Sequence, residues 1–150
     1  MVRINIINPK CLSDQHLVAE YDEMLMLVGY VKRYPQIKFA HGISEIPKEY
    51  TLNIGHMKFF KNKLVYLKNR HELLKVEMRK RNFATNKIIT LKEYPKELCN
   101  DWKPKNKDYG VILERIIWKL KLKPTYYRYY GEYKSASFFI KLLNKYKFVK

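Results

Sequence analysis

Phe60, Leu64, Leu67, His71, Leu74 and Met78 recur at spacings of 4, 3, 4, 3 and 4. This is the period of one α-helical face, and a stripe of about five turns must be covered by other elements. A strand would instead alternate apolar and polar residues at a period of two, which this stretch does not do. His71 lies within the stripe and reads as a hydrogen-bonded core residue rather than a ligand or catalyst. Lys61, Lys63, Lys68, Arg70, Lys75, Arg79, Lys80 and Arg81 fill the other side. They read chiefly as a solvated face, with a few touching phosphate.

Two more stretches share this period. Leu17, Tyr21, Met24, Leu25 and Val28 mark a helix with Ser13 or Asp14 as its N-cap, ended by Tyr34-Pro35. Ile112, Leu113, Ile116, Ile117 and Leu120 mark another, with Asp108 as the expected cap and Pro124 as the stop. Residues 36–55 and 82–107 read as irregular connections carrying Gly42, Pro47, Gly55, Pro95 and Pro104; Ile88, Ile89 and Leu91 carry only a weak extended signal. Phe139, Leu142, Leu143 and Tyr146 suggest a final amphipathic helix, with Lys141, Lys145 and Lys147 on its wet side. The expected fold is all-α: a single compact domain, residues 1–150, of about three main helices with long irregular connections and an extra C-terminal helix.

Charge decides the class of partner. Thirty-one basic residues against 14 acidic ones give a formal charge of +17, which points to a polyanion, nucleic acid first and an anionic membrane surface second. An aromatic content of 15% argues for a folded domain rather than a disordered basic tail. Cys11 and Cys99 form no CxxC motif or Cys/His cluster, so they read as ordinary thiols and no metal site is expected. Charges interrupt every apolar run, so no membrane span is expected and the protein is read as soluble and cytoplasmic.

The candidate chemistry lies at the N-terminus. Removal of Met1 would expose the α-amine of Val2, whose pKa of about 7.7 to 8 leaves much of it unprotonated and nucleophilic near neutrality. On the first helix His16, Glu20 and Glu23 share a face at i, i+4 and i+7, so a carboxylate on a rigid element can face that amine. Further along, Tyr126-Tyr127-Arg128-Tyr129-Tyr130 interleaves rings with a cation, a pattern suited to stacking on bases and reaching phosphate. The same rings could equally close the core over the helices.

Met-x-Arg-Ile-Asn followed by Asp14-Gln15-His16-Leu17-x-Ala19-Glu20-Tyr21-x-Glu23 resembles the start of the pyrimidine-dimer DNA glycosylases with AP-lyase activity, the phage endonuclease V type. The resemblance resumes in Ile54-Gly55-His56-Met57-Lys58-Phe59-Phe60, in Glu93-Tyr94-Pro95-Lys96-Glu97 with Asp101-Trp102, and in Lys123-Pro124-Thr125-Tyr126-Tyr127-Arg128-Tyr129-Tyr130-Gly131. It implies excision of UV-induced cyclobutane pyrimidine dimers and β-elimination through a Schiff base to the N-terminal amine. Val2 would be the nucleophile and Glu23 the catalytic carboxylate, with no metal or organic cofactor. The implied DNA contacts are Arg3, Gln15, His16, Arg115, Lys119, Tyr127, Arg128 and Tyr129. The partner would be damaged double-stranded DNA bound by a monomer, with no obligatory protein partner, and residues 132–150 would be an extension beyond the family pattern.

Asp22 and Met26 stand where phage members carry arginines, which leaves the lesion open. Two other functions fit the same residues. One is imine chemistry on another damaged base or an abasic site; the other is a non-enzymatic, basic nucleic-acid-binding protein.

Overall fold

A computed structural model describes residues 2–38 and 41–148. Its helices are α1 (Asp14–Arg33), α2 (His56–Phe59), α3 (Leu64–Lys80), α4 (Asn106–Leu122) and α5 (Ala136–Tyr146), with 3-10 turns at Pro9–Cys11 and Lys96–Leu98. The chain is mostly helical, as the periodicity predicts. α1 packs on α3, and α5 packs on α4 and on the Pro9–Cys11 turn.

Ser13, not Asp14, caps α1: its Oγ accepts the His16 N–H at 3.1 Å. Asp14 is buried instead and accepts N–H bonds from Tyr130 and Gly131 at 3.1 and 2.8 Å. Those two residues have φ of 54° and 81° and join strands β1 (Arg128–Tyr129) and β2 (Glu132–Tyr133). Positive φ at both central positions is the type I′ hairpin turn, which a tyrosine adopts only at a cost. The Asp14 carboxylate supplies the compensation, and the sequence reading of this stretch contained no hairpin.

The long apolar stripe is interrupted. Phe60 is buried but follows α2, and α3 begins only at Leu64. α4 starts at Asn106, two residues before the expected cap; Asp108 is its third residue, and its carboxylate accepts the Lys105 N–H at 2.8 Å. Residues 88–91 form no strand. α5 buries Phe139 and Leu143 and so covers the core.

The basic side of α3 is the main departure from expectation. Arg70, Lys75 and Arg81 are buried, as is Lys61 just before the helix. Arg70 donates to Glu20 through Nε at 2.7 Å and Nη2 at 3.0 Å, and through Nη1 to the Ile7 carbonyl. Arg81 pairs with Asp14 at 3.1 Å and Glu77 at 3.0 Å and reaches the Leu12 carbonyl at 2.8 Å. Lys61 pairs with Glu45, and Lys75 with Glu72 at 3.0 Å. Only Lys68, Arg79 and Lys80 are on the exposed surface, with Lys63 half-buried.

His71 is buried as expected, stacked on Tyr21 with centroids 4.7 Å apart, but neither ring nitrogen makes a hydrogen bond of normal geometry. Cys11 and Cys99 are both free thiols, and burial pushes the Cys11 thiol up to about 12.

Candidate active site

Residues 2–7 run through the interior rather than along the surface. Val2, Ile4, Asn5, Ile6 and Ile7 are all buried. The Ile4 amide donates to His56 Nε2 at 2.8 Å, and its carbonyl accepts from the Tyr50 hydroxyl at 2.8 Å. Because His56 Nε2 is an acceptor, the ring proton sits on Nδ1 and is donated to the Thr51 carbonyl at 2.7 Å. Burial holds His56 in this neutral form, with a pKa lowered to about 4. Tyr50, His56, Phe59, Phe60, Tyr66 and Trp102 pack edge-to-face and stacked, which pins both irregular connections beside the N-terminal segment.

The next residues turn sharply. Ile6 has φ of 50° while the Ile7 N–H reaches the Asn5 carbonyl at 2.5 Å. A β-branched residue in this region is strained, by about 1 to 3 kcal/mol. Arg70 on the Ile7 carbonyl and the Asn5 amide on Glu20 at 3.0 Å hold the turn from both sides. The buried polar cluster therefore fixes the course of residues 2–7.

Arg3, in this segment, lines a cavity of about 430 Å³ with Gln15, His16, Glu20, Glu23, Arg115, Lys119, Tyr126 and Tyr127, among others; Val2 is not part of the lining. Glu23 Oε2 accepts the Arg3 N–H at 3.2 Å. Desolvation raises the Glu23 pKa, opposed by this hydrogen bond, so the carboxyl is a readier proton acceptor than an exposed glutamate. Val2 precedes Arg3, and its side chain belongs to the core. Met1 lies outside the described residues.

The cavity has a cationic wall. Arg3 donates to the Leu52 carbonyl at 2.6 Å, and its pKa is lowered by burial and by Arg115 nearby. Among the described residues, neither Arg115 nor Lys119 has a carboxylate partner; both lie against the Trp118 ring, at 4.8 and 5.6 Å from its centroid. Trp118 is half-exposed and was missed by sequence reasoning, though its position three residues after Arg115 places it on a neighbouring face of the helix.

The same lining also carries neutral rings. His16 stacks on Tyr127 at 4.7 Å and sits 3.0 Å from Ser13 Oγ through Nδ1; burial, with Lys119, lowers its pKa to about 4. It can stack or hydrogen-bond but is not a cation near neutral pH. A cationic rim beside the Glu23 carboxylate suits an anionic ligand such as a phosphodiester. The model of one protein family, the pyrimidine dimer DNA glycosylases, matches residues 1–91.

The chain belongs to that family. Within the matched span lie Arg3, Gln15, His16 and Glu23, all of which line the cavity of this pyrimidine dimer DNA glycosylase. Arg115, Lys119 and Tyr127, from beyond it, complete the same cavity. Gln15 is already engaged: its amide donates to the Tyr126 carbonyl at 2.9 Å and accepts the Arg128 N–H at 2.9 Å, so it positions the hairpin. Arg128 is exposed on a neighbouring depression with Val18 and Phe83. Tyr129 is not brought to the cavity. Its hydroxyl donates to the Lys10 carbonyl at 3.0 Å, and its ring lies between the Arg81 guanidinium, 4.5 Å away, and Phe138.

Proposed function

We propose that this DNA repair glycosylase excises cyclobutane pyrimidine dimers and then cleaves the strand as an AP lyase, through an imine to its own N-terminal amine. The observation that carries the reading is the Glu23 carboxylate bonded to the Arg3 amide, one residue after the nitrogen that becomes the amine once Met1 is removed. The Val2 nitrogen attacks C1′ of the 5′ sugar of the dimer as the glycosidic bond breaks. Loss of a proton from that nitrogen and opening of the sugar ring give the imine. Glu23 stabilises positive charge on the opening sugar and then takes the C2′ proton, whose removal expels the 3′ phosphate by β-elimination. Arg3, Arg115 and Lys119 hold the flanking phosphates while His16, Tyr126 and Tyr127 offer ring surfaces.

A second reading keeps the chemistry and changes the lesion. Met26 is 62% exposed and Asp22 is paired with Lys87 at 2.6 Å, so neither supplies the cation found there in phage members. Borohydride trapping of Met1-processed protein on duplexes carrying a thymine dimer, an abasic site or no damage separates the two. A covalent adduct and nicking on the dimer duplex, mapped to Val2, is the expected result. An adduct on the abasic duplex alone selects the second reading, and mapping to Lys119 refutes the N-terminal nucleophile.

A further inference from the structure

Ile54 is 93% exposed, more than any other large apolar side chain among the described residues. Isolated exposed apolar residues are ordinary, so exposure alone decides nothing. Its setting is less ordinary. The turn that carries it is braced on every side: Arg3 donates to the Leu52 carbonyl at 2.6 Å, His56 Nδ1 to the Thr51 carbonyl at 2.7 Å, and the His56 N–H to the Asn53 carbonyl at 2.9 Å. Gly55 packs so closely that an added Cβ would come within 2.8 Å of Pro47 Cγ. The chain thus displays a bare β-branched side chain on a fixed turn tied to a residue of the candidate active site.

Arg3 and Arg115 line both the catalytic cavity and a second, shallower depression with Leu52, Asn53 and Ile54. A strand whose phosphates lie on these two guanidiniums passes from the cavity directly onto Ile54. DNA-kinking proteins commonly insert an apolar side chain between bases at the step they open, filling the gap left by unstacking. The geometry points to Ile54 as that wedge: it packs into the base stack beside the lesion and favours the opened duplex in which the sugar can be attacked. This inference rests on the cavity being the lesion site.

The test is single-turnover excision by wild type, Ile54→Ala and Ile54→Leu on two dimer duplexes, one fully paired and one with abasic positions facing the dimer, so that little stacking remains to be broken. Ile54→Ala should be slower by about tenfold or more on the paired duplex yet within about twofold of wild type on the pre-opened one, with Ile54→Leu restoring most of the rate. Equal rates of wild type and Ile54→Ala on the paired duplex, or an equal loss on both duplexes, would overturn the wedge. A wild-type protein that excises neither dimer would overturn the dimer reading and the wedge with it.

Discussion

Glu20 and Glu23 stand three residues apart on α1 and border the same cavity, yet they belong to regions whose charges are paired very differently. Glu20 is 1% exposed and saturated by Arg70 and Asn5, in an interior where Asp14 and Glu77 are likewise closed against Arg81. Glu23 accepts from one backbone N–H and lines a cavity in which Arg115 and Lys119, among the described residues, have no carboxylate partner. Paired charges satisfy one another and fix geometry; charges left unpaired at an opening are what a phosphate or a reacting sugar can use. The first region holds residues 2–7 in place beside the second.

Breaking the second region should produce the largest effect. On the proposed chemistry, Glu23→Gln lowers dimer excision by about 10²- to 10⁴-fold with melting temperature and DNA affinity preserved, measured by single-turnover nicking beside a binding isotherm. Breaking the first region should do the reverse. Arg70→Ala leaves Glu20 charged and buried without its partner, at a cost of about 3 to 5 kcal/mol in chemical denaturation. Pairing it with Glu20→Met should recover part of that loss but not all, because the Ile7 carbonyl still lacks its donor.

Smaller changes sharpen the contrast. Arg115→Ala should leave stability unchanged and flatten the log-log salt dependence of DNA binding by about 0.9, the value for one phosphate contact. An unchanged slope would remove Arg115 from the DNA interface. A further expected effect, on folding alone, is a pH dependence. His16 and His56 have folded pKa values of about 4 against the usual 6.5, with burial the leading cause in each. Between those values the unfolded chain binds protons that the folded chain does not, so these groups make stability fall as pH drops from about 6.5 towards 4. Denaturation midpoints that stay level across that window would contradict the neutral assignment.

Much of the fold was legible because apolar residues at a 3.6 period declare a buried face whatever covers it, as in α1, α3, α4 and α5. The break between Phe60 and Leu64 was not, since both residues are buried and the period runs across the gap. Nor was the hairpin, whose Tyr130 takes an unfavourable φ only because a carboxylate 116 residues earlier accepts its N–H. Arg70, Glu77 and Arg81 did leave a faint trace: they follow spacings of 7 and 4 and flank the Leu67, Leu74 and Met78 stripe, where a solvated face would not be.

The sequence by itself determined the family, the helical class and the residues of the candidate cavity from Arg3 to Glu23, since these depend on local period and on motifs within a short span. Only the tertiary structure decided which charges are spent and which remain available. Whether a lysine or arginine is solvated, paired or facing a ligand depends on which carboxylates meet it, and those partners lie far away in the chain: 50 residues between Arg70 and Glu20, 67 between Arg81 and Asp14. Helical period records burial, a property of one position, whereas the state of a charge is a property of a pair, and pairs are made only when the chain closes on itself.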